Sequence, residues 1–261
     1  MADLLPDTID GVIARLNDIL DDALRSAARI GYFTALYERV TTNVRRALIA
    51  GNVFDDNPRM ERLDVVFANR FLAAWDAHAH GSGGPPSAGA PTRSWQVAFL
   101  RLDDPAPLVV QHLLLGMNAH INLDLGIAAA TIAPTPSALQ ALWPDFKRIN
   151  DVLARLVSIV EDELGQISPR LKRIEDFAPG LEDRIFDFGM DGARDFAWAL
   201  AQDIVAAPPA SRPALIAARD AEVADLGRTL FPLHGLAGEV QRWIKAAESE
   251  DIRYNIQIVA E

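Results

Sequence analysis

Residues 111–130 read QHLLLGMNAHINLDLGIAAA. In these twenty positions there is no Lys, Arg or Glu, yet two His, two Asn, one Gln and one Asp stand among Leu, Ile and Ala. A helix that is apolar nearly all round is a buried helix, and its polar groups then need partners. At about 100° per residue, His112, Gly116, His120 and Asp124 fall on a drifting stripe about 120° wide. Gln111, Asn118 and Asn122 cluster within about 40° on another side. His120 and Asp124 are i,i+4 neighbours, close enough to meet or to share one ligand. The fold is therefore expected to be a bundle built around this helix, and the chemistry is expected on it.

Outward from this segment the apolar spacing stays helical. Ile9, Val12, Ile13, Leu16, Ile19, Leu20 and Leu24 repeat with helical period, with Asp7 or Thr8 as the N-cap. A second run opens at Gly31 and closes at Gly51, ahead of the turn residues Asp55 to Pro58. Residues 59–80 form a third helix whose buried face carries Leu63, Val66, Phe67, Phe71 and Ala74. Arg70 falls inside that apolar run, where a bare cation is expensive, so a carboxylate or an anionic ligand is expected beside it. Asp64 and Asn69 are the neighbouring polar candidates.

Further on, Trp95 and Phe99 mark a short helix over 94–102. A long amphipathic element covers 138–164. Another helix covers 185–205, with Phe196, Trp198 and Leu200 as core, and two more cover 214–230 and 233–249. The tail IRYNIQIVAE alternates apolar and polar residues like one short strand or docking arm. No β–α alternation or regularly spaced strand pattern occurs. The expected architecture is all-α: one multi-helix bundle over 1–261 around the central helix, with a short extended C-terminal tail. The Gly/Pro/Ser-rich stretch 81–93 reads as a flexible loop, and 206–213 (AAPPASRP) reads as a linker. His78 and His80 border the loop and are expected as surface histidines.

Composition narrows the function. With 36 acidic against 25 basic residues, the net charge is −11. That argues against nucleic acid and anionic membrane surfaces, which recruit basic patches. Residues 105–136 are the most apolar, but a membrane span there would bury His112, His120 and Asp124 at high cost, so no span is expected. The acidic N-terminus lacks the layout of a signal peptide, and the expected location is cytoplasmic. Without cysteine, thiolate metal sites and Cys nucleophiles are excluded. Neither a G-x-S-x-G elbow nor a phosphate-binding Gly motif is present.

Three readings of the central helix follow. The first is a divalent metal (Zn, Fe or Mn) held by His120 and Asp124, with Asp64, Asp145 or Asp151 supplying further ligands. The second is a general base, His112 or His120 oriented by Asp124, in an apolar pocket. The third is a polar network that serves only structure. The leading expectation is an enzyme, a metal-dependent hydrolase ahead of an oxygenase or a metal-free acid–base enzyme. It would act on a small or lipid-like molecule. His112, His120 and Asp124 would be catalytic, and Asp64, Asn69, Arg70, Gln111, Asn118 and Asn122 would bind substrate. The alternative is a non-catalytic module that binds a ligand or partner. The sequence does not indicate an oligomeric state.

Three stretches carry a resemblance: RMERLDVVFANRFL (59–72), QHLLLGMNAHINLDLGIAA (111–129) and DFKRIN (145–150). They resemble a bacterial and fungal family catalogued only as a domain of unknown function. The resemblance covers the chain from about Gly31 to the C-terminal helices and implies that these segments are the family's hallmark. It carries no activity, cofactor or catalytic residue with it. A looser similarity to helical zinc-dependent phospholipases and nucleases stops short of their motifs. Ala2, not Trp, follows Met1, and Gly116-Met117-Asn118 stands where a G-D-x-H would be needed.

Overall fold

The structure, a computed structural model, describes residues 5–81, 90–173 and 190–261. It is 80% helical, and no strand occurs among the described residues. Among the described residues eleven α-helices follow in order: α1 (Ile9–Ser26), α2 (Ile30–Ala50), α3 (Asn57–His80), α4 (Arg93–Phe99), α5 (Val109–Ala119), α6 (Gly126–Ile132), α7 (Pro136–Ile167), α8 (Met190–Ala206), α9 (Arg212–Leu230), α10 (Gly235–Lys245) and α11 (Ile252–Ala260). Between α5 and α6, residues His120–Leu125 form a π-helix.

Local chemistry sets the helix boundaries. The Thr8 hydroxyl accepts from the Gly11 amide (3.1 Å) at the start of α1. Asp56 accepts from the Arg59 amide (2.9 Å) at the start of α3, with a proline in the first turn. Thr135 caps α7 through the Ala138 amide (3.2 Å). Each cap satisfies a backbone N–H that the first turn leaves without a partner. Gly51 ends α2 in the left-handed region (φ 75°), where a Cβ would be strained.

Helix α2 runs through the middle of the bundle and packs on α1, α3, α5, α7 and α11. Two hydrophobic cores form. The first joins α1, α2, α4 and α5 up to Ala119. The second begins at Leu123 and takes in α6, the start of α7 and α8. The π-helix lies at the seam between them, and Phe67 of α3 packs against both. Val109–Ile132 is long and apolar enough to cross a membrane on length and composition alone; 83% of its most apolar window is buried inside the fold.

Two expectations need correction. The C-terminal tail is a helix rather than an extended arm. Asp251 caps it by accepting from the Tyr254 amide (3.0 Å), and Asn255, Ile256, Ile258 and Val259 turn inward. A nine-residue segment fits a period of 2 and a period of 3.6 almost equally well, and docking against α2 and α7 decides the outcome. Phe196 is 38% exposed rather than core, and it carries the Arg219 guanidinium over its ring at 3.9 Å. The expected 81–93 loop lies mostly in residues 82–89, outside the described residues, as does the start of the helix expected from 185. In the 206–213 linker, a 3-10 turn, Pro209–Ser211, leads into α9.

Candidate functional site

The site grows from one glycine and a change of helical pitch. Gly116 of α5 has no side chain, and the Phe33 ring fills the space; a Cβ there would lie 2.4 Å from Phe33 Cδ2. This close approach brings α2 and α5 together in the same direction. Tyr32 meets His112 (ring centroids 5.8 Å), and Tyr37 meets His120 about two turns further along α5 (4.5 Å). At His120 the chain then widens into the π-helix, a turn that costs hydrogen-bond quality and recurs at functional sites.

The widened turn presents His120 and Asp124 to α3 and α4. Asp124 is 1% exposed, and both its oxygens are engaged. Oδ1 accepts from Arg70 Nε at 2.6 Å, and Oδ2 accepts from the Trp95 indole at 2.8 Å. His120 Nδ1 faces Oδ2 at 3.4 Å, long for a hydrogen bond. Burial pushes the Asp124 carboxyl up, but Arg70, then His120 and Trp95, outweigh it and hold the group below its ordinary range. The carboxylate stays ionised. For His120, burial is the largest influence and lowers the imidazole pKa despite the pull of Asp124. The ring is therefore neutral. An ionised carboxylate only accepts, so a hydrogen bond to it places the proton on Nδ1 and leaves Nε2 with a bare lone pair. Nε2 has no hydrogen-bond partner among the described residues.

Around that nitrogen stands a wall of aromatic rings. Phe33, Tyr37, Phe71 and Trp95 present steeply inclined rings to His120, at interplanar angles from 52° to 90°. Phe67 alone lies flat on it, with centroids 3.6 Å apart and planes within 7°. Two more buried polar atoms lack partners here, the Tyr37 hydroxyl and Asp64 Oδ2. Burial, then the carboxylates of Asp64 and Asp124, raise the Tyr37 pKa well above its ordinary value. Burial, helped by Glu61, pushes Asp64 up to about 7. The result is a neutral base, a phenol that keeps its proton and a carboxyl that titrates near neutrality.

The other predicted residues go elsewhere. Gln111, Asn118 and Asn122 face α9 and the start of their own helix. Gln111 accepts from the Leu108 amide and donates to Leu230 O (2.8 Å). Asn118 donates to Val223 O (2.8 Å), and Asn122 donates to Asn118 Oδ1 (3.0 Å). Gln111 and Asn118 clamp backbone, with Asn122 bracing Asn118, rather than line the His120 site. Asn69 donates to Pro6 O (2.8 Å) on the α1 side. His112 sits two turns away beside Tyr32, where burial, then Arg29 and Lys245, lower its pKa to about 3.

Asp145, an expected metal ligand, accepts from the Asp55 and Asp56 amides, Arg59 and Arg148, and so staples the α2–α3 turn to α7. Asp151 is exposed. No group of three His, Asp or Glu side chains converges for a metal among the described residues. Arg70 does meet the carboxylate that its apolar setting demanded. Trp95 and Tyr37 are the contributors that the spacing did not single out; both come from helices remote in sequence.

Fold and site together define an all-helical protein with a buried histidine–aspartate dyad on a π-helical turn, ringed by aromatic side chains. The family of unknown function (DUF5995) matches residues 9–232, and the chain belongs to that family. No curated protein and no solved structure matches it.

Proposed function

We propose that this chain is a small-molecule enzyme in which His120 acts as a general base. The observation that carries the reading is the bare Nε2 of a 2%-exposed imidazole whose other nitrogen faces a carboxylate fixed by Arg70 and Trp95. A base needs its lone pair free and its tautomer set, and this arrangement supplies both. Nε2 removes a proton from a substrate O–H or C–H, or from a water. Asp124 stabilises the imidazolium that forms. Asp64, half protonated near neutral pH, returns a proton, and the Tyr37 hydroxyl donates a hydrogen bond to a developing oxyanion. A metal-dependent hydrolase draws less support, because the Asp124 oxygens already have partners and no third donor among the described residues converges on the pair.

The competing reading is a non-catalytic binding module with a structural polar network, and the flat packing of Phe67 on His120 favours it. Two measurements separate them. Long-range 1H–15N NMR of the histidine side chains reports the tautomer, expected to be protonated on Nδ1. A panel of esters, lactones and enolisable carbonyl compounds is assayed with the wild type, His120→Gln and Asp124→Asn. Turnover that both substitutions abolish, with the circular dichroism spectrum retained, supports the enzyme. A proton found on Nε2, or turnover that survives His120→Gln, refutes it.

A further inference from the structure

We propose that Phe67 is a swinging gate over His120, and that the slot it fills takes a flat, uncharged group of the substrate. This rests on the general-base reading above. Of the five rings around the imidazole, four are buried and meet it at steep angles. Phe67 is the partly exposed one, and it covers the imidazole face as a stacked substrate ring would. It sits on α3 one turn after Asp64 and one turn before Arg70, so its withdrawal uncovers the segment between the unpartnered carboxyl and the Arg70–Asp124 pair. The walls are aromatic, which selects a flat partner at stacking distance. Arg70 is committed to Asp124, and Asp64 would repel an anion.

Carbethoxylation by diethyl pyrocarbonate tests the gate directly. An imidazole nitrogen attacks one carbonyl, ethyl carbonate leaves with the ring proton, and it decays to ethanol and carbon dioxide. The five histidines provide internal standards. His78, His80 and His234 are exposed and should react fast. His112 is buried with an equally bare Nε2, but its ring neighbour Tyr32 is itself buried. With peptide mass spectrometry as the readout, His120 should react at least tenfold faster than His112. Phe67→Ala should speed His120 a further tenfold or more and leave His112 unchanged. Equal rates at His112 and His120, or a Phe67→Ala variant that speeds both alike, would mean global opening and would overturn the gate.

Millimolar benzamide should protect His120, whereas cyclohexanecarboxamide (uncharged but not flat) and benzoate (flat but anionic) should not. Protection by all three or by none overturns the substrate class. The two readings fail separately. A reactive His120 with turnover surviving His120→Gln removes the base and leaves the gate. An unreactive His120 with turnover lost in His120→Gln removes only the gate.

Discussion

Removing Arg70 should cost more stability than removing Asp124, although the two form one ion pair. The reason is the asymmetry of their surroundings. The Arg70 side chain is 28% exposed, while Asp124 is 1% exposed, with 2.6 Å between Nε and Oδ1. Without Asp124, the guanidinium turns towards water, and the main loss is the partner of the Trp95 indole. An unsatisfied buried donor costs about 1–3 kcal/mol. Without Arg70, the carboxylate has no route to solvent, and breaking a buried pair in that direction costs about 3–5 kcal/mol.

Arg70→Met should therefore destabilise by about 4 kcal/mol and Asp124→Leu by about 2 kcal/mol. The double variant should lose about 2 kcal/mol, far below the sum, because it leaves no stranded charge. Urea unfolding followed by circular dichroism gives all three values, provided that the slope with denaturant is unchanged. If Arg70→Met costs under about 1 kcal/mol, or the double variant equals the sum of the singles, the account of Asp124 as a charge held buried by Arg70 is wrong.

Gly116→Ala gains about 1 kcal/mol of helix propensity but drives a Cβ to 2.4 Å from the Phe33 ring. Overpacking of about 3 kcal/mol leaves a net loss of about 2 kcal/mol, or a Tm lower by about 4–8 °C in calorimetry; an unchanged Tm would contradict the tight approach of α2 and α5. Asp64 has a folded-state pKa near 7, above its unfolded value, so the folded state binds the extra proton. Stability should fall as pH rises from about 4 to 7, by at most about 4 kcal/mol, and Asp64→Asn should flatten that slope in urea titrations at each pH. His112 has its folded pKa lowered to about 3, so the unfolded state binds the extra proton. Its contribution is present above about pH 6.5 and lost as pH falls towards 3, a trend that His112→Gln should remove. Asp251→Ala should cost about 1 kcal/mol by uncapping α11, read as faster amide exchange at Tyr254.

The buried central helix was legible because its residues leave no polar face, and the partner of Arg70 was legible because an apolar setting makes a lone cation untenable. The two polar stripes on the helix also separated as their angles indicated, one towards α2 and α3, the other towards α9. Their roles did not follow from the angles. Asn118 and a ligand-binding asparagine look alike until Val223 O is placed beside one of them. Trp95 was read only as marking its own short helix, because its indole reaches Asp124 across 29 positions and no local period encodes that distance. The tail was misread because nine residues cannot distinguish two periods, whereas Asp251 at its start was the overlooked capping signal. The π-helix left no trace, since the drift of the His112-to-Asp124 stripe is what i,i+4 spacing gives on any regular α-helix.

That widened turn also works as a phase shifter between two cores that need not agree. An α-helix fixes the bearing of every later side chain once its first is set. The extra residue absorbed at His120–Leu125 holds everything downstream about 100° and about 1.5 Å short of where regular pitch would carry it. The α5 side can thus seat Gly116 on Phe33 while α6 independently seats Gly126 against the Ala197 carbonyl, where a Cβ would come within 2.6 Å. Held to regular pitch at its full length, this stretch would carry α6 out of phase and set those two contacts in conflict. One half of the molecule would have to surrender its packing, and with it the orientation of either His120 or the α8 helix beneath it.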